Sequence, residues 1–330
     1  MLLSIQLSCK TISNLVNRAG LVVTPKDDRR YNMNDEAFTT DGRFYSMKRL
    51  DQLSTNVLNN ALRFTGKVAM VKTEPESSGE TPADHQPGVL IAQALDSDYI
   101  AVLDPLDGSG NADAAICTGT VFGVFRRMPP NADDDPNMTL QQDLVRSVLQ
   151  PANQMKAAGY CLYSSATVLV FTLGDDVNGF TLDPQLNEFV LTHPKLTIPP
   201  RGNVYSCNEG NSEGWTEDFK EYLRGLKTGK NQSGRTYAHR YVGSMVGDIH
   251  RTLSYGGIFC YPADTDQHPA GNLQLLYKSA PMAFVVARAG GRAIDGVSGD
   301  LLDLRPARVH QKSPCFMGSP LDVAELETFL

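Results

Sequence analysis

The stretch that most constrains the fold is an acidic turn between two apolar runs. Residues 99–103 read YIAVL and residues 120–125 read TVFGVF, and both runs are typical of buried β-strands. Between them, DPLDGSGNAD at residues 104–113 brings three aspartates together around glycines. Glycine lets the backbone turn tightly and approach a ligand closely. The sequence therefore predicts two strands of one sheet, joined by a turn that presents carboxylates.

The rest of the chain alternates between helical and strand-like patterns. Apolar residues at helical spacing predict an N-terminal helix up to residue 19 and helices over 47–63, 215–226, 243–253 and 282–289. Strands are predicted at 166–174, near 204 and 258, at 273–277 and in a hairpin over 179–193. This mixture favours an α/β or layered α+β fold with two layers of sheet. At 330 residues the chain is long enough for two domains, which we place at 1–190 and 191–330.

Charge and composition exclude several kinds of partner. The formal net charge is −7, so nothing attracts the chain to nucleic acid or to an anionic membrane surface. No run reaches the ~18 apolar residues of a membrane span. The six cysteines form no CxxC pair and are typical of reduced thiols in a core. We expect a cytoplasmic protein that acts on a small molecule.

The acidic turn suits a hard divalent cation. Asp104 and Asp107 would leave the end of a buried strand together, and Mg²⁺ prefers carboxylate and phosphate oxygens in an octahedral shell. Aspartate, proline and glycine are also ordinary turn residues. From the turn alone, a metal site and a plain turn stay open as alternatives.

Five strings of the sequence together resemble one enzyme family. They are DPLDGSGNAD, TGTVFGVF, NEG at 208–210, RYVGSMVGDIHRTLSYGGIFCYP at 240–262 and LLYKSAPMAFVVARAGG at 275–291. In this order, and from about Leu3 to the end of the chain, they are similar to class I fructose-1,6-bisphosphatases. The resemblance implies an αβαβα layered sugar phosphatase fold and assembly into a homodimer or homotetramer. It also implies that Mg²⁺ and carboxylates activate a water that attacks the 1-phosphate.

The resemblance assigns roles to two groups of residues. The residues at the reaction centre are Asp51, Glu74, Asp104, Asp107 and Lys278, of which Asp104, Asp107 and Glu74 match metal ligands. The residues that stand at positions of the sugar-phosphate pocket, most of them in the second domain, are Ser109, Asn208, Arg240, Tyr241, Met245, Tyr261 and Gln274.

The departures from the family pattern fall where the metals would bind. Thr73 and Lys278 stand at positions where the family has metal-binding glutamates. The local charge thereby shifts by about +3, and at ~4 Å and an effective dielectric near 20 each opposed pair of charges is worth several kcal/mol. We expect Lys278 to fill the space and replace the charge of a metal ion, which weakens Mg²⁺ binding. The alternative is that Lys278 points to solvent and a neighbour supplies the missing ligand.

Other departures affect the substrate pocket. Asn272 and Gln274 replace a lysine and an arginine of the family, and Asn211 replaces a tyrosine. The loss of the lysine weakens the expectation that a second phosphate binds.

Three functions follow from this pattern. The main interpretation is an enzyme repurposed for metal-independent chemistry on an oxygenated small molecule, with Lys278 as cation, acid or Schiff-base donor. The alternative is a sugar-phosphate phosphatase, acting on fructose 1,6-bisphosphate or a related compound with an altered Mg²⁺ dependence. A further alternative is a non-catalytic paralogue. The fold alone cannot decide among them, because function depends on the site.

Overall fold

The computed structural model describes residues 1–19, 42–63, 68–72, 90–94, 98–129, 137–264 and 267–330. Side chains are described throughout these ranges except at 42–49, 63, 68–72, 90–94 and 113. All six cysteines are free thiols and five of them are buried, as expected for reduced core residues. Within the described ranges, no helix combines the length and apolarity that a membrane span needs.

Among the described residues, the first sheet has eight antiparallel strands in sequence order. Its strands are β1 Val68–Lys72, β2 Leu90–Ala94, β3 Tyr99–Asp107, β4 Thr118–Arg126, β5 Met155–Tyr163, β6 Thr167–Thr172, β7 Val177–Asp183 and β8 Glu188–His193. Strands β3 and β4 are buried along almost their whole length because helices cover both faces of the sheet. Position 159 on β5 has no room for a side chain, because Phe122 and Phe171 pack where a Cβ of Gly159 would stand.

The second sheet is mixed, with the order β10-β9-β11-β15-β13. Its strands are β9 Val204–Ser206, β10 Ala238–His239, β11 Ile258–Tyr261, β13 Arg292–Ile294 and β15 Cys315–Gly318. A separate pair joins β12 Leu273–Gln274 to β14 Lys312–Ser313. The expected hairpin over 179–193 and the strands near 204 and 258 are confirmed.

In the described ranges, seven α-helices complete the layers. They are α1 Leu2–Asn17, α2 Gly42–Arg63, α3 Leu140–Val148, α4 Glu217–Thr228, α5 Met245–Tyr255, α6 Ala280–Arg288 and α7 Pro320–Glu327. Helices α1 and α2 pack on one face of the first sheet, and α5 and α6 lie between the two sheets. Helices α4 and α7 cover the outer face of the second sheet. The predicted αβαβα layering is therefore confirmed.

Polar residues begin the helices next to the site. Ser244 accepts a hydrogen bond from the backbone N–H of Gly247 at the start of α5. Thr216 caps α4 in the same way, and Gly229 ends that helix with φ +76°.

The predicted strand over 273–277 is wrong beyond its first two residues. Residues Leu275–Ser279 form a π-helical turn that leads directly into α6, with Pro281 at the start of that helix. An apolar run of this length does not distinguish a strand from a buried helical segment. The difference matters because this turn carries Lys278.

Candidate active site

The acidic turn lies where β3 ends. Asp104 and Asp107 are almost fully buried, at 2% and 4% exposure, and a register shift separates them on the strand. Gly108 follows with φ +70°, and a Cβ at this position would stand 3.2 Å from the Cβ of Ser244. The left-handed backbone and the contact with Ser244 both favour glycine here. The turn is thus held against the start of α5.

Lys278 reaches the acidic turn from the π-helical turn. Its Nζ lies 3.0 Å from Oδ1 of Asp107 and 3.1 Å from Oδ2 of Asp104. Burial alone would lower the pKa of Lys278, but the charges and hydrogen bonds of the two aspartates outweigh it and raise that pKa well above its usual value. Lys278 is therefore an ammonium ion at neutral pH, fixed between two carboxylates.

Asp51 on α2 completes this cluster. Burial is the largest influence on its carboxyl group and raises its pKa to about 7, against a hydrogen bond from Ser109 that lowers it. The nearby charge of Asp104 raises the pKa further, and Lys278 lowers it. Among the described residues, the buried Oδ1 of Asp51 has no hydrogen-bond partner. Asp51 can therefore exchange a proton near neutral pH.

Three of the residues predicted for substrate binding, Asn208, Arg240 and Tyr241, lie in loops, and Tyr261 ends β11. Asn208 and Tyr261 line a narrow cavity at the ends of β9 and β11. The pKa of Tyr241 is raised by its burial and, more weakly, by the charges of neighbours that include Tyr261 and Asp107. Arg240 is exposed, and its guanidinium donates a hydrogen bond to the carbonyl of His239 at 3.0 Å.

Comparison with known families decides the relationship. The fructose-1-6-bisphosphatase N-terminal domain matches residues 1–194, and the fructose-1-6-bisphosphatase C-terminal domain matches residues 198–330. The chain belongs to the fructose-1,6-bisphosphatase family.

Individual relatives match over almost the whole chain. It is 41% identical to fructose-1,6-bisphosphatase 1, chloroplastic, of Arabidopsis thaliana, over 99% of this chain and 75% of that protein. It is 40% identical to the chloroplastic fructose-1,6-bisphosphatase of Brassica napus over the same shares. The crystal structure of Leishmania major fructose-1,6-bisphosphatase in holo form superposes with a TM-score of 0.79 at 37% identity, covering 100% of this chain and 92% of that chain.

In this structure the ammonium group of Lys278 lies against the Asp104–Asp107 pair, where the family resemblance implies a divalent cation. Mg²⁺ requires oxygen ligands around the whole ion. Here the Nζ of Lys278 contacts an oxygen of each carboxylate within 3.1 Å and supplies the positive charge itself. The pair in this arrangement does not fit a metal ion, so we assign no reaction step to an ion at this position. Glu74 and Thr73 lie outside the described residues, and their part in a metal site stays a prediction.

Two predicted substrate residues are largely shielded from solvent. Met245 is the first residue of α5, is 6% exposed and packs in the main core. Gln274 is 3% exposed at the end of β12. These side chains can shape the floor of a pocket more readily than they can contact a ligand directly.

The cavity also contains Asn211 and Asn272, which the sequence analysis named as departures in the substrate pocket. The sequence did not indicate the remaining lining residues, which are Trp215, Cys260, Pro262, Asp264 and His268. Asp264 and His268 come from the loop that follows β11. No spacing or composition distinguishes them from ordinary loop residues, so only the folded chain reveals their position.

Proposed function

We propose that this chain is a sugar-phosphate phosphatase in which the ammonium group of Lys278 replaces a divalent cation at Asp104 and Asp107. Its full-length identity of 40–41% to fructose-1,6-bisphosphatases supports the reaction class. The observation that carries the proposal is the pair of contacts from Lys278 Nζ, 3.0 and 3.1 Å long. The expected consequence is a reduced requirement for Mg²⁺.

Lys278, Asp51 and Ser109 have different roles in the proposed hydrolysis. Lys278 neutralises part of the negative charge of Asp104 and Asp107. This lowers the free-energy cost of keeping the two carboxylates buried. Asp51 has a pKa of about 7, so its ionised form can accept a proton from a water that attacks phosphorus. Ser109 donates a hydrogen bond to Asp51 and orients it. The raised pKa of Lys278 argues against the Schiff-base role, because an ammonium ion is not a nucleophile.

The first experiment measures phosphate release from fructose 1,6-bisphosphate in Mg²⁺, in Mn²⁺ and in EDTA. We would compare the wild type with Lys278→Glu and with Lys156→Glu, which makes the same change of charge at an exposed position on β5. The expected result is that the wild type and Lys156→Glu keep activity in EDTA and that Lys278→Glu becomes dependent on Mg²⁺. Mn²⁺ titrations should show one more bound ion in Lys278→Glu than in the wild type.

The assigned role of Lys278 would be overturned if the wild type released no phosphate in EDTA and if Mg²⁺ raised its rate of phosphate release as much as it raised that of Lys278→Glu. A wild type that releases no phosphate under any condition would instead exclude the phosphatase and leave the second candidate.

The second candidate is metal-independent acid–base chemistry on an oxygenated small molecule. The observation that favours it is the proximity of Asp51, which titrates near pH 7, to the fixed ammonium of Lys278. An acid and a cation in one shielded site can move a proton between carbon or oxygen atoms of a sugar without a metal. Proton exchange from sugar C–H bonds into deuterated water, followed by NMR in EDTA, tests this candidate. Absence of both exchange and phosphate release would point to the non-catalytic paralogue.

A further inference from the structure

Three side chains with metal-binding chemistry meet where β9 and β10 end. They belong to Cys207, which follows β9, to Glu209 in the turn after it, and to His239, the last residue of β10. The thiol sulfur, a carboxylate oxygen and a ring nitrogen of these residues all lie within 4.8 Å of one another. In the part of the chain that the structure describes, no other three histidine, cysteine or acidic residues bring such atoms this close together.

Strand pairing brings His239 to this place. β10 lies parallel to β9 with His239 opposite Tyr205, and Cys207 follows two residues after Tyr205. The imidazole stacks on the ring of Tyr205, with the ring centroids 5.0 Å apart. Its Nε2 lies 2.9 Å from the carbonyl oxygen of Cys207. The side chain of His239 is thus held on two sides, although it lies at the surface.

The hydrogen bond of Nε2 determines which nitrogen of His239 can bind a metal ion. A carbonyl oxygen only accepts, so Nε2 carries the hydrogen and Nδ1 of the neutral ring keeps its lone pair. Histidines that bind metals almost always donate their other ring N–H to a carboxylate, a backbone carbonyl or water. His239 therefore has the hydrogen bonding of a metal ligand.

Glu209 already has a positive counter-charge that a metal ion can replace. Its Oε1 accepts a hydrogen bond from the hydroxyl group of Tyr205 at 2.6 Å, and its Oε2 accepts one from Nζ of Lys227 at 2.5 Å. The side chain of Lys227 is 45% exposed, and an ion pair this close to solvent contributes little to stability. Replacement of the ammonium by a metal ion at Glu209 therefore costs little.

The three donors differ in depth. Cys207 is fully buried, the side chain of Glu209 is 30% exposed, and His239 is exposed. Exposure thus rises from the sulfur to the imidazole. An ion can therefore enter from the side of His239 and Glu209 and reach the sulfur last.

The donor set favours zinc. Thiolate and imidazole together are typical of Zn²⁺, which also accepts a carboxylate oxygen. Bonds of about 2.0–2.3 Å place the donors of a tetrahedral zinc ion roughly 3.3–3.6 Å apart. Rotation of the partly exposed side chains of Glu209 and His239 can close the difference from the 4.8 Å limit. One thiolate and one carboxylate also balance the charge of Zn²⁺.

We propose that Cys207, Glu209 and His239 bind a Zn²⁺ ion, with water as the fourth ligand. The S–H bond of Cys207 breaks as the S–Zn bond forms, and the proton leaves to solvent. Asn208 lies between two of the ligands and Arg240 follows the third. The ion therefore holds the backbone next to two predicted substrate residues, whatever reaction takes place at Lys278.

A cobalt titration tests the site without turnover. Co²⁺ takes the same ligands as Zn²⁺ but binds them more weakly, and a cobalt–thiolate bond gives a charge-transfer band in the near ultraviolet. The reduced full-length protein would be treated with EDTA, exchanged into metal-free buffer and titrated with Co²⁺ and then with Zn²⁺. The variants are Cys207→Ser, Glu209→Gln and His239→Ala. The matched controls are Cys117→Ser, at a half-buried thiol, and His193→Ala, at an exposed histidine of β8.

We expect the wild type and both controls to develop the thiolate band, which should saturate at one Co²⁺ per chain and disappear when Zn²⁺ displaces the cobalt. Cys207→Ser should lack the band. Glu209→Gln and His239→Ala should raise the dissociation constant of Co²⁺ at least tenfold. Thermal unfolding in EDTA verifies that each variant is folded, and the exposed position of His239 keeps one variant usable if Cys207→Ser does not fold.

Absence of the band in the wild type would overturn the proposal. It would also be overturned by a band that persists in folded Cys207→Ser, or by an unchanged Co²⁺ affinity in folded His239→Ala. These results do not depend on phosphate release, so the zinc site and the proposed hydrolysis stand or fail separately.

Discussion

Lys278 donates a hydrogen bond to Oδ1 of Asp107 across 3.0 Å, although 171 positions separate the two residues in the chain. The aspartate ends a strand of the first sheet, whereas the lysine belongs to the turn that precedes α6. The contact therefore joins the two family-matched halves of the chain through a pair of opposite charges. Both the stability and the metal response of the protein should depend on it.

Replacement of Lys278 by methionine should destabilise the fold. It leaves Asp104 and Asp107 buried without a counter-charge, and breaking a buried pair in this way typically costs about 3–5 kcal/mol. Urea denaturation at pH 7 without divalent ions measures the loss. Added Mg²⁺ should restore part of the stability in the variant and change the wild type little. The triple variant Lys278→Met with Asp104→Asn and Asp107→Asn should regain most of the lost stability, and a triple variant as unstable as the single one would contradict the explanation.

The pH dependence of activity should follow Asp51. If its carboxylate acts as the base, kcat/KM rises as pH increases through about 7, because only the ionised form accepts a proton. Ser109→Ala removes the hydrogen bond that lowers this pKa, so the rise should move to higher pH. Asp51→Asn should abolish the rise together with most of the activity. If Ser109→Ala leaves the rise in kcat/KM at the same pH or moves it to lower pH, the group that controls the rise is not Asp51.

Stability at acidic pH should depend on His250. Burial lowers the pKa of this imidazole to about 4, and its Nδ1 forms a 2.8 Å hydrogen bond with the hydroxyl group of Tyr160. The unfolded chain binds a proton first as pH falls below about 6.5, so stability is lost between about pH 6.5 and pH 4, up to about 3 kcal/mol. His250→Gln should flatten this part of the curve of unfolding free energy against pH. His239→Gln, at an exposed position, should leave the loss of unfolding free energy over this pH range unchanged.

Gly108→Ala should impair activity more than stability. Its φ of +70° is strained for alanine, and the new Cβ would press on Ser244, which displaces the acidic turn. Gly234 has a similar φ of +65° with nothing within 4 Å of its Cβ position, so Gly234→Ala isolates the backbone strain. Both should lose about 1 kcal/mol in chemical denaturation. Only Gly108→Ala should also lose turnover, and equal activity of the two variants would show that the turn does not position the site.

The spacing of apolar residues predicted the strands and helices of this fold well where apolar residues alternate or recur at regular intervals. Strands β3 and β4 and the hairpin of β7 and β8 lie where the sequence placed them, with boundaries extended by a few residues. The segment after β12 was predicted wrongly as a strand, because a short apolar run is compatible with a strand and with a buried π-helical turn.

Several features stay predictions. They include the roles of Glu74 and Thr73, the division of the chain near residue 190, the cytoplasmic location and the homodimer or homotetramer.

The family, the layered fold and the residue types at the reaction centre could be predicted from the sequence alone, because motifs and the periodic spacing of apolar residues are visible in it. It also placed a lysine at position 278, but it left open whether that side chain pointed to solvent. The contacts of Lys278 with Asp104 and Asp107, and the cavity that Asp264 and three asparagines line, became visible only in the folded chain. The physical reason is that electrostatic pairing and cavity shape depend on distances between residues far apart in the chain, which packing alone fixes.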